Sequence, residues 1–505
     1  MTAIAAPQVR VAGGALHGTM ESGVAVFRGI PYAEPPIGEL RLVAPRPARR
    51  WDGVRPAVEF GPPPPQSNAL GGDAWSPTDA GDGWLTVNVW SPALDPAAKL
   101  PVMVWIYGGG YVIGASSGPE YDGGHLARDG VVLVTLNYRL GAEGFAHIEG
   151  APANRGLLDQ VAALEWVRDN IAAFGGDPDR VTVFGESAGG GLVGALLAMP
   201  RSRGLFRRAV VQSMPGAFFS TELASDIAAA CAAELGLRPR IEDLATTDPA
   251  LLAVAADTVA AMITERAGRW GLPARRSILF APVVDGDVLP ITPWQAVADD
   301  AGLTVDLLVG HTRDEQRLFS LIEGQLGQVT SADAATALAA FAPGPDGARR
   351  YRDAFPAASP DELYERVISD WLFRMPSLQL AEARIAAGGR AHVYELTWSA
   401  PGLGGALGAC HGLDVPLVFG NLTSGRPAML IGENPTAEAI ALSAQMRAAW
   451  TAFAADGDPG WPAYEPDRRL SQIFDTPSTV AAYPEEKSRL IWQDYSFPVL
   501  PLLGE

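Results

Sequence analysis

The chain has 505 residues, 48% of them hydrophobic and 19% charged, which is apolar enough for a large packed core and excludes an intrinsically disordered chain. Its 57 acidic and 38 basic residues give a net charge of −19, which disfavours nucleic acid and anionic membrane surfaces as partners and favours solubility. No apolar run reaches the ~20 residues needed to span a bilayer. Two cysteines, Cys231 and Cys410, make no disulfide framework, and the opening Met1-Thr-Ala-Ile-Ala-Ala-Pro-Gln8 lacks the basic region and apolar core of a secretory leader. A soluble protein of a reducing cytoplasm is expected.

In chain order, an N-terminal β region over roughly 8–60 leads into Pro- and Gly-rich loops at 61–83. Strand patterns follow near 85–90, 101–107, 131–137, 181–184 and 208–212, with a helix pattern at about 158–174 that has Asp159 near its start and Gly175-Gly176 at its end. Residues 221–275 and 325–385 read as Ala-rich helical insertions. A further strand, Val305–Gly310, precedes a loop at 311–316, and Ala391–Trp398 reads as another strand. Strands alternating with helices predict an α/β protein with a mostly parallel sheet. No internal repeat and no Pro- or Ser-rich linker divides the middle of the chain, so residues 1–505 are expected to form one unit.

The richest segment is Val181-Thr-Val-Phe-Gly-Glu-Ser-Ala-Gly-Gly190. A strand-like run enters Gly-x-Ser-x-Gly, and a small-residue helix pattern follows. With 56 glycines in the chain the pentapeptide alone is weak, but the strand–turn–helix setting is the one a nucleophile elbow needs. Gly185 and Gly189 relieve the crowding of so tight a turn, and Ser187 is held at a helix N-terminus, where negative charge is favoured. Such a serine needs backbone donors for an oxyanion, a base, and a group to orient the base. The strand Pro101–Tyr107 runs into Gly108-Gly109-Gly110, whose backbone N–H groups turn freely toward one point.

Three histidines follow Ser187. His392 has the surroundings of a packed strand residue, and His311 lies too close in sequence to the best acid candidates to span a triad. His411 sits in the glycine-flanked loop Gly408-Ala-Cys-His-Gly412 and is the candidate base. The acid is expected after strand Val305–Gly310, where Asp314 and Glu315 are adjacent; residue chemistry alone does not choose between them.

The chain resembles the type-B carboxylesterases, the family that also contains cholinesterases and bacterial p-nitrobenzyl esterases. The resemblance runs nearly end to end. It rests on Phe27-Arg-Gly-Ile-Pro-Tyr-Ala-Glu-Pro-Pro-Ile-Gly-Glu-Leu-Arg41, Tyr107-Gly-Gly-Gly-Tyr111, Asn137-Tyr-Arg-Leu-Gly141, Gly156-Leu-Leu-Asp-Gln160, Phe174 through Gly190, and Gly408 through Gly420. It implies an α/β-hydrolase fold with helical insertions over the active site. It implies Ser187 as nucleophile, His411 as base, Glu315 as acid, and the backbone of Gly109, Gly110 and Ala188 as the oxyanion hole. Ser213 matches a family serine that supports the triad from a buried position. Two departures stand out. Gln316 occupies a position where the family usually has glycine, and Asp82-Gly-Trp-Leu85 replaces an early Glu-Asp-Cys-Leu block, without the cysteine that animal members pair.

The implied activity is serine carboxylic-ester hydrolysis through an acyl-enzyme on small-molecule esters, and the candidate gorge aromatics point to short to medium acyl esters of aryl or alkyl alcohols. It requires no metal and no cofactor. A carbamate or amide hydrolase would use the same triad. A non-catalytic cholinesterase-like binding protein would be expected to lack the serine, and a dehalogenase to carry a carboxylate in its place. Tyr107, Tyr111, Phe218, Phe219, Trp270 and Phe319 are candidate aromatic residues near the gorge, with core packing as the commoner fate of such residues. Cys410 beside the base reads as a space-filling residue.

Overall fold

The computed structural model describes residues 6–66, 81–299 and 304–504. Its frame is an 11-stranded sheet. In chain order the strands are β1 (Thr19–Glu21), β2 (Val24–Pro31), β3 (Thr86–Ser91), β4 (Leu100–Ile106), β5 (Val132–Leu136), β6 (Gly176–Glu186), β7 (Arg208–Gln212), β8 (Asp306–Thr312), β9 (Ala391–Leu396), β10 (Leu470–Phe474) and β11 (Thr479–Ala482). Their spatial order is β11-β10-β9-β8-β7-β6-β4-β5-β3-β2-β1. Neighbours from β5 across to β10 run parallel. Antiparallel pairs close both edges.

The central strands are Val-, Leu- and Ile-rich and buried at nearly every position, as in β5, Val-Leu-Val-Thr-Leu. A strand buried on consecutive residues is covered on both faces, and a parallel sheet requires that, because its crossovers lay helices on each side. Helices α1 (Arg155–Asn170), α2 (Ala188–Ala198), α4 (Met375–Ala386) and α5 (Ala437–Asp456) pack on these strands; α3 (Gln316–Ile322) follows β8. One apolar cluster runs from Val9 to Leu500.

Helical segments fill both expected insertions, and their ends explain why. Ser220 caps Thr221–Ala233 by accepting from the Leu223 N–H, and Asp248 caps Pro249–Ala261 with proline in its first turn. In the second insertion, Thr330 with Asp333 and Ser359 with Glu362 form reciprocal capping boxes that open Ser331–Phe341 and Pro360–Ser369. A π-helical turn, Asp370–Arg374, then leads into α4.

Several boundaries differ from the sequence expectation. α1 begins at Arg155 and ends at Asn170, with a tight 3₁₀ turn over Ile171–Phe174 in place of a continuous helix to 174. β8 extends through His311 and Thr312, because β9 keeps pairing with it there; only residues 313–315 form the loop, and Gln316 already opens α3. β9 in turn ends at Leu396, short of Trp398. Of the N-terminal β region, only β1 and β2 join the main sheet; Gln8–Val11, Gly14–His17 and Val54–Pro56 form a separate three-stranded sheet. Residues 67–80 of the Pro- and Gly-rich stretch lie outside the described residues.

Motif blocks far apart in sequence meet as buried ion pairs. Arg139 and Asp159, both without exposed surface, pair at 2.8 Å, and the Asp159 carboxylate also accepts from the Arg139 backbone N–H at 3.0 Å. Arg41 pairs with Glu143 at 2.5 Å in the same way. Removing one partner of such a pair strands the other charge away from water. Asp159→Asn is expected to lower unfolding free energy by about 3–5 kcal/mol, read as a shift of the urea midpoint. A loss no larger than that of an exposed Asp→Asn change would show that the pair is not a main tie between α1 and the β5 end.

Candidate active site

The parallel strands all deliver their C-terminal ends to one edge of the sheet, the edge where open α/β sheets bind ligands. The loops after β4, β6, β7, β8 and β9 contribute residues 108–111, Ser187, Ser213, 313–315 and His411 there. At the first of these loops Gly109 has φ 111°, and a Cβ on it would collide with the Ile113 carbonyl. The N–H groups of Gly109 and Gly110 donate to no other group among the described residues.

Ser187 caps α2 with φ 58° and ψ −127°, a strained backbone for any residue with a side chain. Its N–H donates to the Gln212 carbonyl at 3.0 Å, which fastens the turn to β7. The flanking glycines are demanded by β4: a Cβ at Gly185 would lie 2.7 Å from the Ile106 carbonyl oxygen, and one at Gly189 would collide with that same oxygen. The Ala188 N–H opens α2 and so has no intrahelical partner.

The two adjacent carboxylates after β8 point different ways. Asp314 accepts from the Ala409 N–H at 2.9 Å and from Arg313 at 2.9 Å, so it braces the histidine loop from outside. Glu315 is fully buried and turns inward. One oxygen accepts from Ser213 Oγ at 2.6 Å and from the Thr312 N–H at 2.9 Å; the other lies 2.5 Å from His411 Nδ1. An ionised carboxylate only accepts, so Nδ1 carries the proton of this bond, and in the neutral imidazole Nε2 then holds the free lone pair. Burial pushes the Glu315 pKa up, but the His411 charge, its hydrogen bond and that of Ser213 outweigh it and hold the carboxyl below the usual range.

His411 Nε2 is buried and makes no hydrogen bond among the described residues, and it lies 3.2 Å from Oε1 of Glu186, the residue before Ser187. Burial alone would lower the His411 pKa; the carboxylates of Glu186, Glu315 and Asp414 overcome it and raise it above the ordinary histidine value. Glu186 is itself pushed up by burial, only partly offset by His411. The pair therefore holds its protons more tightly than either group would in water. Asp414 lies one turn past the histidine and accepts from Gln212 at 2.9 Å and Tyr394 at 2.8 Å.

The sequence pattern of the carboxylesterase family matches residues 4–489. The chain belongs to that family. The para-nitrobenzyl esterase of Bacillus subtilis is 39% identical over 489 residues, covering 94% of this chain and 96% of that protein. The phenmedipham hydrolase of Pseudarthrobacter oxydans is 35% identical over 92% of this chain and 94% of its own length. Among solved structures, the Geobacillus stearothermophilus carboxylesterase EST55 at pH 6.2 superposes with a TM-score of 0.85 at 36% identity, covering 96% of this chain and all of that one. The fold is the α/β-hydrolase fold, and the protein is a carboxylic-ester hydrolase.

Carboxylesterase membership does not by itself say which aromatic residues meet the substrate. Tyr107, Tyr111, Phe218, Phe219 and Trp270 are at most 2% exposed and belong to the core: Tyr107 stacks on Tyr138 at 4.6 Å, and the Trp270 indole donates to Asp226. Phe319 alone of the six packs against the imidazole, with ring centres 5.1 Å apart. Phe373, which carries no mark in the sequence, stacks on His411 at 4.3 Å from the π-helical turn of the second insertion. Glu186, between Gly185 and Ser187, has only its place beside the serine as a sequence signal. Cys410, buried beside His411, has its thiol pushed up to about 12 by burial and by Glu315, and is packed as a small apolar group. Among the described residues no group of three or more His, Cys, Asp or Glu is placed to hold a metal ion.

If Glu186 raises the His411 pKa, Glu186→Gln removes that contribution. The imidazole then loses its proton at lower pH, and the acid limb of kcat/KM moves to lower pH. A pH–rate profile whose acid limb stays in place in the folded variant would show that Glu186 carries no charge that His411 feels.

Proposed function

We propose that Ser187 is the nucleophile, His411 the general base and Glu315 the acid that orients it, acting on esters with short to medium acyl chains and alkyl or aryl alcohols. The observation that carries this reading is the inward-turned Glu315, bonded at 2.5 Å to His411 Nδ1, beside the strained turn that presents Ser187. In this scheme His411 Nε2 takes the proton of Ser187 Oγ as Oγ attacks the ester carbonyl. The tetrahedral oxyanion accepts from the N–H groups of Gly109, Gly110 and Ala188, the last reinforced by the α2 dipole. His411 then gives the proton to the leaving alcohol, and the acyl-enzyme forms. Water, deprotonated by the same imidazole, releases the acid and restores Ser187. Glu315 stabilises the imidazolium present at each tetrahedral stage.

The similarity to the phenmedipham hydrolase favours a second reading, in which the same three residues open a carbamate or amide carbonyl. Rates on a matched ester, carbamate and anilide with one leaving group size separate the two. One catalytic unit spanning 1–505 belongs to the proposal, since its residues are drawn from 109 to 411 across one continuous core. So does a cytoplasmic setting, which suits two buried, unpaired thiols. No helix among the described residues is long and apolar enough to cross a membrane.

Wild type is expected to hydrolyse p-nitrophenyl butyrate, and Ser187→Ala to lose on the order of a millionfold in kcat with an unchanged circular dichroism spectrum. Substantial turnover in the folded variant would remove Ser187 from the mechanism.

A further inference from the structure

Gln316, next to Glu315 at the start of α3, is completely buried. A buried amide requires partners, and this one has them in three places. Its side-chain oxygen accepts from Arg276 Nη2 at 3.0 Å, its side-chain nitrogen donates to Ser320 Oγ at 3.3 Å, and its backbone N–H donates to Ser369 Oγ at 3.1 Å. Arg276 caps the last helical turn of the first insertion, and Ser369 ends the Pro360–Ser369 helix of the second. Arg276 also pairs at 3.2 Å with Glu323, at the far end of α3. Positions 316, 320 and 323 share one face of a helix, so the guanidinium clasps α3 along that face. Phe319 lies on the adjoining face and reaches His411 and Phe373, with ring centres 5.1 Å and 5.9 Å away. α3 is thus held between the imidazole and the first insertion.

We propose that Gln316 and Arg276 form a latch that sets the size of the leaving alcohol this site accepts. The inference rests on His411 as the general base. The nitrogen that deprotonates Ser187 also protonates the leaving alcohol, so the alcohol departs beside the imidazole, within reach of Phe319 and Phe373. The latch fixes the backbone that carries Phe319. A glycine at 316 has no side chain to hold Arg276, and the Phe319 wall then yields to a bulkier alcohol. Gln316 and Arg276 are positioning residues in this arrangement, because neither touches the reacting atoms.

The test uses three esters with one acyl group: methyl, phenyl and 1-naphthyl butyrate. They share a butyryl-enzyme, so kcat/KM reports acylation by each alcohol ester, while the rate of deacylation is common to all three. Gln316→Gly, Arg276→Met and the double variant are compared with wild type, with functional sites counted by titration so that unfolded protein drops out. Each single variant is expected to raise the 1-naphthyl-to-phenyl ratio of kcat/KM about fivefold, the equivalent of one hydrogen bond, and to leave deacylation unchanged. The double variant is expected to match Arg276→Met, because that change already removes the Gln316 bond together with the Glu323 pair. An unchanged ratio in both single variants, or single effects that multiply in the double, would overturn the latch. A wild type with full functional-site titration but no turnover of any ester would instead bring down the ester-hydrolysis scheme on which the latch rests.

Discussion

The site depends on how closely the β4 backbone approaches the turn at Ser187. The Ile106 carbonyl lies where a Cβ of Gly185 or Gly189 would have to go. This contact keeps the turn tight, and the tight turn forces Ser187 into its strained conformation. The strain is held by ordinary bonds on either side: the Ser187 N–H is tied to Gln212 of β7, and α2 continues the chain with the Gly191 N–H bonded back to the Ser187 carbonyl at 2.9 Å. A surface loop offering the same serine would relax. Here a packed sheet and a fully buried helix oppose relaxation, so the hydroxyl is presented at the C-terminal edge at an energetic cost of about 1–3 kcal/mol borne by the fold.

The second constraint is electrostatic. Glu186, Glu315 and Asp414 are buried around one imidazole. Carboxylates in a dry interior are expensive unless bonded, and the three are treated differently. Glu315 is fully bonded and stays ionised. Asp414 is bonded on one oxygen, its Oδ1 accepting no hydrogen bond among the described residues, while Glu186 faces His411 Nε2 at 3.2 Å and is pushed up by burial. Together they favour positive charge on His411. In the proposed mechanism that charge forms at each tetrahedral stage, and the buried carboxylates stand in place to stabilise it.

The helical insertions supply what the sheet cannot. The sheet edge furnishes loops from β4, β6, β8 and β9, but the packing surface over the imidazole comes from Phe319 on α3 and Phe373 on the π-helical turn. π-Helical turns carry one residue more than the helix around them and are common at functional sites. This one places Phe373 on His411 while Arg374, paired with buried Asp370, donates to the Arg313 carbonyl in the 313–315 loop. The insertion and that loop are therefore positioned together.

Local chemistry made much of this readable in advance. Buried strands announced themselves as Val- and Ile-rich runs, and the elbow as glycines two residues either side of a serine between a strand and a helix. The end-to-end family blocks made the α/β-hydrolase fold legible as well. Each of these signals lies within a few consecutive residues, where sterics and periodicity act directly. The division of labour between Asp314 and Glu315 was not legible from their chemistry. Both are loop carboxylates, and only the added length of β8, the outward pull of Arg313 and the Ala409 N–H, and the inward donors Ser213 and Thr312 separate them. The same holds for five of six aromatic residues that proved to be core, and for Phe373, which reaches His411 from a distant insertion. The sequence by itself determined the elements and the residue types able to do the chemistry, because those follow from neighbours along the chain. Residue chemistry left open which carboxylate faces the imidazole, a choice only the family resemblance made for Glu315, and no signal in the sequence showed which rings cover it, because both depend on strands and helices that meet only when the core closes.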